Sequence, residues 1–446
     1  MISVSIIMPS LNVAKYIHEC IQSVINQTLR DIEILCVDAG STDGTLEIIQ
    51  KYAKKDSRIK ILHSDMKSYG YQMNMALRVA QGEYIGIVET DDVILPEMFE
   101  HLYNQTKRCR VDFVKSNYLN YFRIDGKKQC IEVINSNTIG MSKQVLHLEN
   151  CPKYRLADIN HIWSAIYRKD FLLNNNLWFN ETLGASFQDT SFSILVGMMA
   201  KDCIYMPECY YQYRIDRPES SVRSDQKVFC VRDEFRYIEN YLREHNFDEK
   251  QILRDISPKK VDVYWWNMCR LSEKARREFG KGIRSEIKKI RQHHYETKDQ
   301  EQIVERMLDE EKVEQFLRCK EKKKNNFIKI IHRAEQYHGY VVIGAGRFLD
   351  RMLTIQRLSG EYIIKAVCDN NAKVQGTYKG DYQIKSVEDA IRVYGKEQWL
   401  ILNRYNSDEI KKQLLRQGID EERIDLIDTM PEWTEIYEEI CFWSKE

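Results

Sequence analysis

Tyr84-Ile-Gly-Ile-Val88-Glu89-Thr90-Asp91-Asp92 is the stretch of sequence that decides the fold of the first part of the chain. Its apolar start predicts a short buried strand, and its polar end predicts a loop where that strand stops. Carboxylates crowd this loop without a basic neighbour, and carboxylate oxygens are ligands that Mg²⁺ and Mn²⁺ prefer. The stretch therefore predicts a divalent cation that would hold a diphosphate. The alternative for a lone Asp-Asp pair is an acidic cap on the helix expected near Pro96.

Three more strands are predicted upstream of this one, each followed by an amphipathic helix. Apolar residues recur at helical spacing in the first helix, as at Ile17, Ile21 and Val24. Alternating strands and helices are typical of a parallel sheet, which binds ligands at the carboxyl ends of its strands. The strands are expected at 3–8, 32–37, 59–63 and 84–88, the helices at Ala14–Gln27, Thr45–Lys54 and Gly70–Ala80, and the ligand-facing loops at Pro9–Asn12, Asp38–Gly44 and Glu89–Asp92.

Composition restricts the class of protein. The chain has 446 residues, of which 43% are hydrophobic and 30% charged, so it can form two or three folded domains. Its 67 basic and 67 acidic residues cancel, and no global field favours nucleic acid as a partner. No apolar stretch approaches the ~18 residues of a transmembrane helix. The first apolar run has no basic segment before it, so no secretory signal is expected. The twelve cysteines are scattered without a Cys-x-x-Cys pair, which predicts reduced thiols in a cytoplasmic protein and no zinc site.

The pattern of the sequence changes twice along the chain. Residues 1–225 combine the strand–helix repeats with a second half of short strands and a helix near Thr190–Ala200. Residues 226–336 are densely charged, with apolar residues at helical spacing, and predict a helical connector. Residues 337–446 alternate strand and helix again, as in a small Rossmann-like unit. The predicted fold class is α/β: a domain with a mixed, mainly parallel sheet, a helical middle segment and a Rossmann-like domain, with Lys320–Asn326 as a boundary loop.

Several motifs occur in the order and spacing of one known pattern. They are Pro9-Ser-Leu-Asn12, Asp38-Ala-Gly-Ser-Thr-Asp43-Gly-Thr45, Gly82-Glu-Tyr-Ile, the acidic motif, Trp163–Leu172, Gly184–Phe192, and Tyr211–Arg214 with Ser220-Ser221. The sequence resembles the family-2 glycosyltransferases of the GT-A fold, which are inverting, metal-dependent nucleotide-sugar transferases. The resemblance covers roughly residues 1–225. It implies a divalent cation (Mn²⁺ or Mg²⁺), a UDP-type donor, and a saccharide or lipid-linked saccharide acceptor in surface polysaccharide or glycoconjugate synthesis.

The resemblance also implies roles for individual residues. Asp189 becomes the general base that deprotonates the acceptor hydroxyl on the face opposite the leaving diphosphate. Asp91 holds the metal, and Asp38 reads the nucleobase through uracil N3. Arg214 neutralises the diphosphate or holds an anionic acceptor group, while Glu89 faces the ribose or a metal-bound water. The other donor-binding positions implied are Pro9, Ser10, Asn12, Gly40 and Ser41, and the acceptor-binding positions are Trp163 and Gln188.

Three of these positions carry an alternative or a departure from the family pattern. Trp163 lies beside Ile162 and Ile166, so a place in the core is the alternative to a stacking face for a sugar. Glu89 stands where the family usually has an aspartate, and Gln188 stands where it commonly has a glutamate. These departures bear on the identity of the donor more than on the type of reaction.

The helical connector contains a basic stretch. Between Arg270 and Arg291 there are nine Lys or Arg residues and three Glu, and Phe279, Ile283, Ile287 and Ile290 share one helical face. One interpretation is an amphipathic helix lying on anionic lipid, which would make the protein peripheral at the inner face of the cell membrane. The other is a helix that packs its apolar face into the protein and exposes a basic face to water. Gly280 and Gly282 weaken the helix in either case.

The last part of the chain opens on Gly344-Ala-Gly346 after a predicted strand, with Asp369 at the end of the next strand. This spacing resembles a dinucleotide-binding fingerprint, but Leu349 replaces the third glycine and Arg347 fills the turn. The unit resembles small Rossmann-like domains that accompany bacterial sugar-modifying enzymes, as ligand-binding or as packing modules. Two hypotheses stay open: a glycosyltransferase, or a catalytically inert nucleotide-sugar-binding or scaffold protein that acts through this domain. No feature indicates an oligomeric state.

Overall fold

A computed structural model describes residues 2–124, 127–134, 143–151, 154–156, 161–185, 187–217, 225, 227–403 and 405–431. Ser220 and Ser221, assigned above to the segment that closes the site, lie outside the described residues, as does Ser186. The chain divides into two compact units. The first contains Met1–Phe122 and Cys130–Lys312, and the second contains Arg123–Gln129 and Val313–Glu446.

Along the chain, the first unit starts with strand–helix repeats and ends with a series of helices. Its elements are β1 (Val4–Ser10), α1 (Ile17–Ile25), β2 (Ile32–Asp38), α2 (Thr45–Ala53), β3 (Ile59–His63), α3 (Tyr69–Val79), β4 (Tyr84–Ile87), β5 (Val93–Ile94), α4 (Met98–Thr106), most of β6 (Phe113–Ile124), part of β7 (Lys127–Val133), β8 (Val145–His147), β9 (Ala165–Arg168), α5 (Lys169–Asn174), α6 (Gln188–Met199), β10 (Asp202–Arg214), α7 (Cys230–Glu244), α8 (Glu249–Arg270), α9 (Glu273–His293) and α10 (Glu301–Met307).

The main sheet confirms the predicted parallel repeats. Its strand order is β3-β2-β1-β4-β9-β6-β10-β5, and β3, β2, β1 and β4 run parallel. The register pairs Ser10 of β1 with Asp38 of β2, so their loops start side by side. Ile7 pairs with Ile87 of β4, which brings the acidic motif to the same edge. Every residue of β1 and β2 is buried, as expected for strands covered on both faces.

The second half of the sheet is mixed. Strand β9 runs antiparallel between β4 and β6, β10 pairs in parallel with β6, and the two-residue strand β5 pairs antiparallel with β10. The sequence patterns did not predict β5 or β9, because two to four residues are too few to show a period. The pairing of β5 with β10 brings the segment after the acidic motif beside Tyr211 and Gln212.

Helices α7 to α10 pack in the first unit and decide between the two interpretations of the basic stretch. Phe279, Ile283, Ile287 and Ile290 of α9 are each at most 1% exposed, so this apolar face is not available to a lipid surface. The expectation of membrane contact through insertion of residues 270–291 is therefore wrong, because the protein core already covers the face that would insert. The basic residues Lys274, Lys281, Arg284 and Lys288 are exposed to water.

Gly282 has a packing role in α9. A Cβ at this position would lie 2.4 Å from the ring of Phe229, so only glycine allows the close approach. The cost of glycine to the helix is offset by this contact. No helix in the part of the chain that the structure describes is long and apolar enough to cross a membrane.

The second unit alternates helices and short strands. Its elements are most of α11 (Glu310–Ala334), then β11 (Tyr340–Ile343), α12 (Arg347–Ser359), β12 (Ile364–Cys368), β13 (Tyr378–Lys379), β14 (Tyr382–Lys385), α13 (Val387–Tyr394), β15 (Trp399–Leu402), α14 (Ser407–Arg416) and β16 (Ile424–Ile427). The segment Lys320–Asn326 lies inside α11, so the expected boundary loop is wrong: lysine and glutamate favour a helix.

The second sheet has the order β13-β14-β12-β11-β15-β16 and is parallel except for β13. Gly344 ends β11 with φ +117°, and a Cβ there would meet the carbonyl oxygen of Leu402 at 2.6 Å. The carboxylate of Asp369 accepts hydrogen bonds from the backbone N–H groups of Ala345 and Asn371. Both Asp369 oxygens therefore stabilise the loops at this sheet edge, which is a different use from binding a ribose.

Candidate active site

The loop after β2 folds around the carboxylate of Asp38, which is 1% exposed. Its Oδ2 accepts hydrogen bonds from the backbone N–H groups of Gly40 (2.9 Å) and Ser41 (3.0 Å). Its Oδ1 has no hydrogen-bond partner among the described residues. A buried carboxylate oxygen that lacks a donor is unfavourable by itself, so it is a ready acceptor for a ligand N–H.

The loop after β1 is tied to the same region by side chain–backbone hydrogen bonds. Asn12 has a left-handed backbone (φ 54°), and its Oδ1 accepts from Thr42 N at 2.9 Å. The N–H of Asn12 donates to Ser41 Oγ at 3.0 Å. Ser10 is buried and donates its N–H to Gln72, while the Pro9 carbonyl accepts from the Thr90 hydroxyl at 2.8 Å. The predicted donor-binding positions are thus brought together, and several of them act through their backbone.

The acidic motif places Glu89 half-buried at the end of β4. Its Oε1 accepts from the hydroxyl of Tyr69 at 2.6 Å, and its N–H donates to the hydroxyl of Tyr211 at 3.0 Å. Burial, with a smaller contribution from the negative charges of Asp91 and Asp189, raises the pKa of Glu89 to about 8. Glu89 therefore lies close enough to both Asp91 and the predicted base Asp189 for their charges to act on it.

Asp92 is the structural member of the motif. It is 1% exposed, its Oδ1 accepts from Arg214 N at 2.7 Å, and its Oδ2 accepts from the Tyr211 hydroxyl at 2.8 Å. The Tyr211 hydroxyl therefore joins the Asp92 side chain to the backbone of Glu89. These contacts fix the acidic loop to β10.

The structure gives different positions to two arginines near this loop. Arg214 is 8% exposed, and its guanidinium contacts the Asp91 carbonyl, Glu19 and Asp216. Arg217 instead pairs with the side chain of Asp91, with 2.5 Å between Nη1 and Oδ2. The sequence motifs did not predict a site role for Arg217, which lies three residues after Arg214. The signal that points to it is the partly exposed carboxylate it faces.

Asp189 is the second residue of α6, a helix that begins after Phe187. Its Oδ1 accepts from Thr190 N at 3.0 Å, and withdrawal from water raises the pKa of Asp189 to about 6. The first turn of a helix stabilises a carboxylate, but here burial has the larger effect. A carboxylate with this pKa is ionised at neutral pH and is more basic than an ordinary aspartate.

Helix α7 supports the start of α6 from behind. Glu234 of α7 is 1% exposed, and it accepts hydrogen bonds from the hydroxyl of Ser191 and from Asn180 Nδ2 (2.9 Å). Burial raises the pKa of Glu234 to about 8. The helical segment therefore anchors the turn that carries Asp189, a contact that no local motif indicated.

The two residues assigned to the acceptor are both buried. Gln188 is 1% exposed, and its amide donates to Thr182 and to the Gly184 carbonyl, which shapes the loop before α6. Trp163 is 6% exposed and stacks on Tyr211, with 4.0 Å between ring centroids. These positions favour packing and loop support, so the acceptor roles of Gln188 and Trp163 stay predictions.

The carboxylates of this site fit a divalent cation that arrives together with a diphosphate. In the described ranges no three His, Cys, Asp or Glu side chains form a metal cluster. A cation that arrives with a diphosphate needs only one or two carboxylates, since phosphate oxygens and water supply its other ligands. Asp91 fits this requirement: its side chain is 22% exposed, and the cation it already holds is the guanidinium of Arg217.

A mainly parallel sheet with an open carboxylate after one strand and an acidic motif after another defines a nucleotide-sugar transferase of the GT-A class. Comparison with known proteins agrees with this class. Residues 5–172 match the model of glycosyl transferase family 2. The chain is 31% identical to the glycosyltransferase GlyG of Streptococcus pneumoniae over 242 residues, which are 52% of this chain and 76% of that protein. The protein belongs to glycosyltransferase family 2 and is a glycosyltransferase.

Two further similarities complete the comparison. An uncharacterised glycosyltransferase of Bacillus subtilis, EpsJ, is 30% identical over 221 residues, which are 49% of this chain and 62% of that protein. The crystal structure of Staphylococcus aureus TarS 1-349 in complex with UDP aligns with 72% of this chain and 91% of its own, with a TM-score of 0.46 and 18% identity. The curated relatives thus match about half of this chain.

Proposed function

We propose that the protein is an inverting glycosyltransferase that moves a sugar from a nucleotide donor, UDP in the first instance, to a saccharide acceptor. The observation that carries the proposal is Asp189 in the first turn of α6, with its pKa at about 6 and its charge acting on Glu89 of the acidic motif. A carboxylate in this setting is suited to take a proton from a hydroxyl beside a diphosphate site.

At the donor end, Asp38 supplies the recognition of the nucleobase. The open Oδ1 of Asp38 would accept the N3–H of uracil, while Oδ2 keeps its hydrogen bonds to Gly40 and Ser41. A base without an N–H at that position would leave the buried carboxylate oxygen unpaired, which is unfavourable. This supports a nucleotide sugar whose base is uracil over one whose base has a hydrogen-bond acceptor at the same position.

At the diphosphate, Asp91 would hold a divalent cation and Arg217 would move from Asp91 to the phosphate oxygens. The cation, when bound, stabilises the negative charge that develops on the leaving diphosphate. Arg217 would also stabilise the charge on the leaving diphosphate, since a guanidinium forms bidentate hydrogen bonds to phosphate. The exchange keeps each negative group paired: Asp91 loses a guanidinium and gains the cation, while the diphosphate gains the guanidinium.

The reaction itself is a single displacement at the anomeric carbon. The acceptor hydroxyl oxygen forms the new bond to that carbon as Asp189 takes the hydroxyl proton. The bond from the anomeric carbon to the diphosphate oxygen breaks, and its electron pair leaves with the nucleoside diphosphate. Attack from the face opposite the leaving group inverts the configuration. Asp189 is left protonated and returns its proton to water.

The acceptor is proposed to be a saccharide, free or lipid-linked, in the assembly of a surface polysaccharide or glycoconjugate. This part of the proposal depends on the family pattern. In the second unit both Asp369 oxygens accept backbone hydrogen bonds, which supports transfer by the first unit over an inert scaffold that acts through the second.

The test uses the purified full chain with a panel of nucleotide sugars and Mn²⁺, and it follows release of nucleoside diphosphate with and without saccharide acceptors. Asp189→Asn should lose nearly all transfer, and Asp91→Ala should lose its dependence on the cation. The matched control is Asp170→Asn, because Asp170 is also the second residue of a helix but is exposed and pairs with Arg110. Asp170→Asn should keep full activity.

Two results would contradict the proposal. Product whose anomeric configuration is retained, as read by NMR of the first turnover products, would exclude the single displacement. Transfer by Asp189→Asn at the same rate as by the control would exclude Asp189 as the base.

A further inference from the structure

A cluster of two rings and a guanidinium lies beside the turn that carries the predicted base and has no role in the donor site; its Trp266 is exposed, whereas Phe187 and Arg270 are half-buried. Phe187 and Trp266 meet edge to face, with 5.2 Å between ring centroids, and the guanidinium of Arg270 lies 5.0 Å from the first ring and 5.5 Å from the second. We call these three side chains the aromatic platform. Trp266 is 41% exposed, and Leu183, four residues before Phe187 in the sequence, is 71% exposed.

Two observations distinguish this cluster from ordinary exposed apolar residues. Single exposed side chains are common, but the platform groups two rings and a stacked cation. Phe187 also has φ 66°, a left-handed conformation that is unfavourable for a bulky residue, and it is the residue that precedes α6. Strained residues of this kind concentrate at functional sites, and this one lies two positions before Asp189.

The platform is held by contacts from both sides. Gln188 ties the loop before α6 to itself through Thr182 and Gly184, and the Lys227 ammonium donates to the Ala185 carbonyl at 2.7 Å. Trp266 and Arg270 come from α8, one helical turn apart. These hydrogen bonds hold the loop before α6, and the ring contact with Trp266 places Phe187 against α8, two residues before the predicted base.

We propose that the aromatic platform is an acceptor subsite that binds a sugar ring adjacent to the one that reacts. The apolar C–H face of a pyranose packs on an exposed indole, and the N–H groups of a guanidinium donate to its hydroxyls. Since Trp266 contacts Phe187, which lies two residues before Asp189, we place the bound ring next to the sugar whose hydroxyl Asp189 deprotonates. This inference rests on the proposed function, and it assigns acceptor recognition to a helix that follows the sheet domain.

The experiment compares acceptors of one, two and three sugars, supplied as methyl glycosides from each series that the wild-type chain glycosylates. In Trp266→Ala, kcat/KM for the trisaccharide should fall about tenfold, while that for the monosaccharide should fall less than twofold. Hydrolysis of the donor without acceptor should stay unchanged. Trp266→Phe keeps a ring and should retain most of the activity toward the trisaccharide.

The matched control is Trp178→Ala, because Trp178 also carries a stacked arginine, with Arg78 at 5.2 Å from its ring. This variant should lose activity toward all three acceptors equally or not at all. Equal rates for Trp266→Ala and wild type on the trisaccharide would overturn the subsite. A second series keeps one sugar and replaces its methyl aglycone by longer alkyl chains; a loss in Trp266→Ala that grows with the length of this chain, and not with the number of sugars, would assign the platform to a lipid tail and overturn the subsite as well. Failure of the wild-type chain to glycosylate any saccharide would overturn the proposed function itself.

Discussion

Lowering the pH from about 8 to about 5 should reduce sugar transfer about tenfold, because burial raises the pKa of Asp189 to about 6. A carboxylate with that pKa is about nine-tenths protonated at pH 5, whereas an aspartate with an ordinary pKa near 3.9 is still about nine-tenths ionised. Protonated Asp189 cannot accept the hydroxyl proton. The sign follows from the raised pKa: activity is present above about pH 6 and is lost as the pH falls through it.

The assay is kcat/KM for the donor, measured between about pH 4.5 and 9 by chromatography of the released nucleoside diphosphate. This ratio reports groups of the free enzyme, which is the state described here. Below about pH 6 the logarithm of kcat/KM should fall with a slope of one, equivalent to about 1.4 kcal/mol per pH unit. Asp189→Asn should lower the rate by about 10²- to 10⁴-fold, the usual contribution of a general base.

The variant Glu234→Gln shows whether burial or a neighbouring negative charge raises the pKa of Asp189. Glu234 lies behind α6, yet the largest cause of the raised pKa of Asp189 is burial, so the acidic limb should stay near pH 6 in this variant. Glutamine also keeps an acceptor for the Ser191 hydroxyl. Two results would refute the reasoning. One is a pH profile of the wild type in which kcat/KM starts to fall only near pH 4. The other is an unchanged fall near pH 6 in the residual activity of Asp189→Asn.

Three further predictions follow from the contacts of the site. Arg217→Gln should bind Mn²⁺ several-fold more tightly without donor, because Asp91 loses its paired cation; titration by electron paramagnetic resonance measures this, and weaker binding would contradict it. Asp38→Asn should weaken binding of uridine diphosphate about 10- to 150-fold, since a charged hydrogen bond contributes about 1.5–3 kcal/mol; calorimetry with an unchanged affinity would exclude the contact. Tyr211→Phe should lower the free energy of unfolding by about 1–3 kcal/mol, because buried Asp92 loses a donor; an unchanged denaturant midpoint would contradict this.

The fold of the first unit could be predicted largely from local patterns. The predicted strands at 32–37 and 59–63 correspond to β2 and β3. The strand β2 is buried at every residue and shows as an apolar run, whereas the edge strand β3 includes the exposed Lys60 and His63. The boundary loop at Lys320–Asn326 was wrong because dense charge was taken for a linker, although lysine and glutamate also favour an exposed helix such as α11.

The candidate site was predictable where a motif follows a strand, and less so elsewhere. Asp38 is the last residue of β2, and Asp91 lies in the loop after β4, so sequence order implies that they meet at one edge of the sheet. Arg214 and Arg217 are equivalent in charge and three residues apart, and only packing shows that the first is enclosed by other partners while the second faces Asp91.

By itself the sequence determined the class of this protein, because strand period, loop chemistry and motif order are local properties that chain neighbours carry. The tertiary structure decided what depends on contacts between distant residues. It covered the apolar face of α9 and set Glu234 behind the helix of Asp189. It also brought Trp266 of the connector against Phe187 beside the base. Burial and pairing arise only when segments far apart in sequence meet, so spacing along the chain left two interpretations of α9 and indicated neither the contact of Glu234 nor that of Trp266.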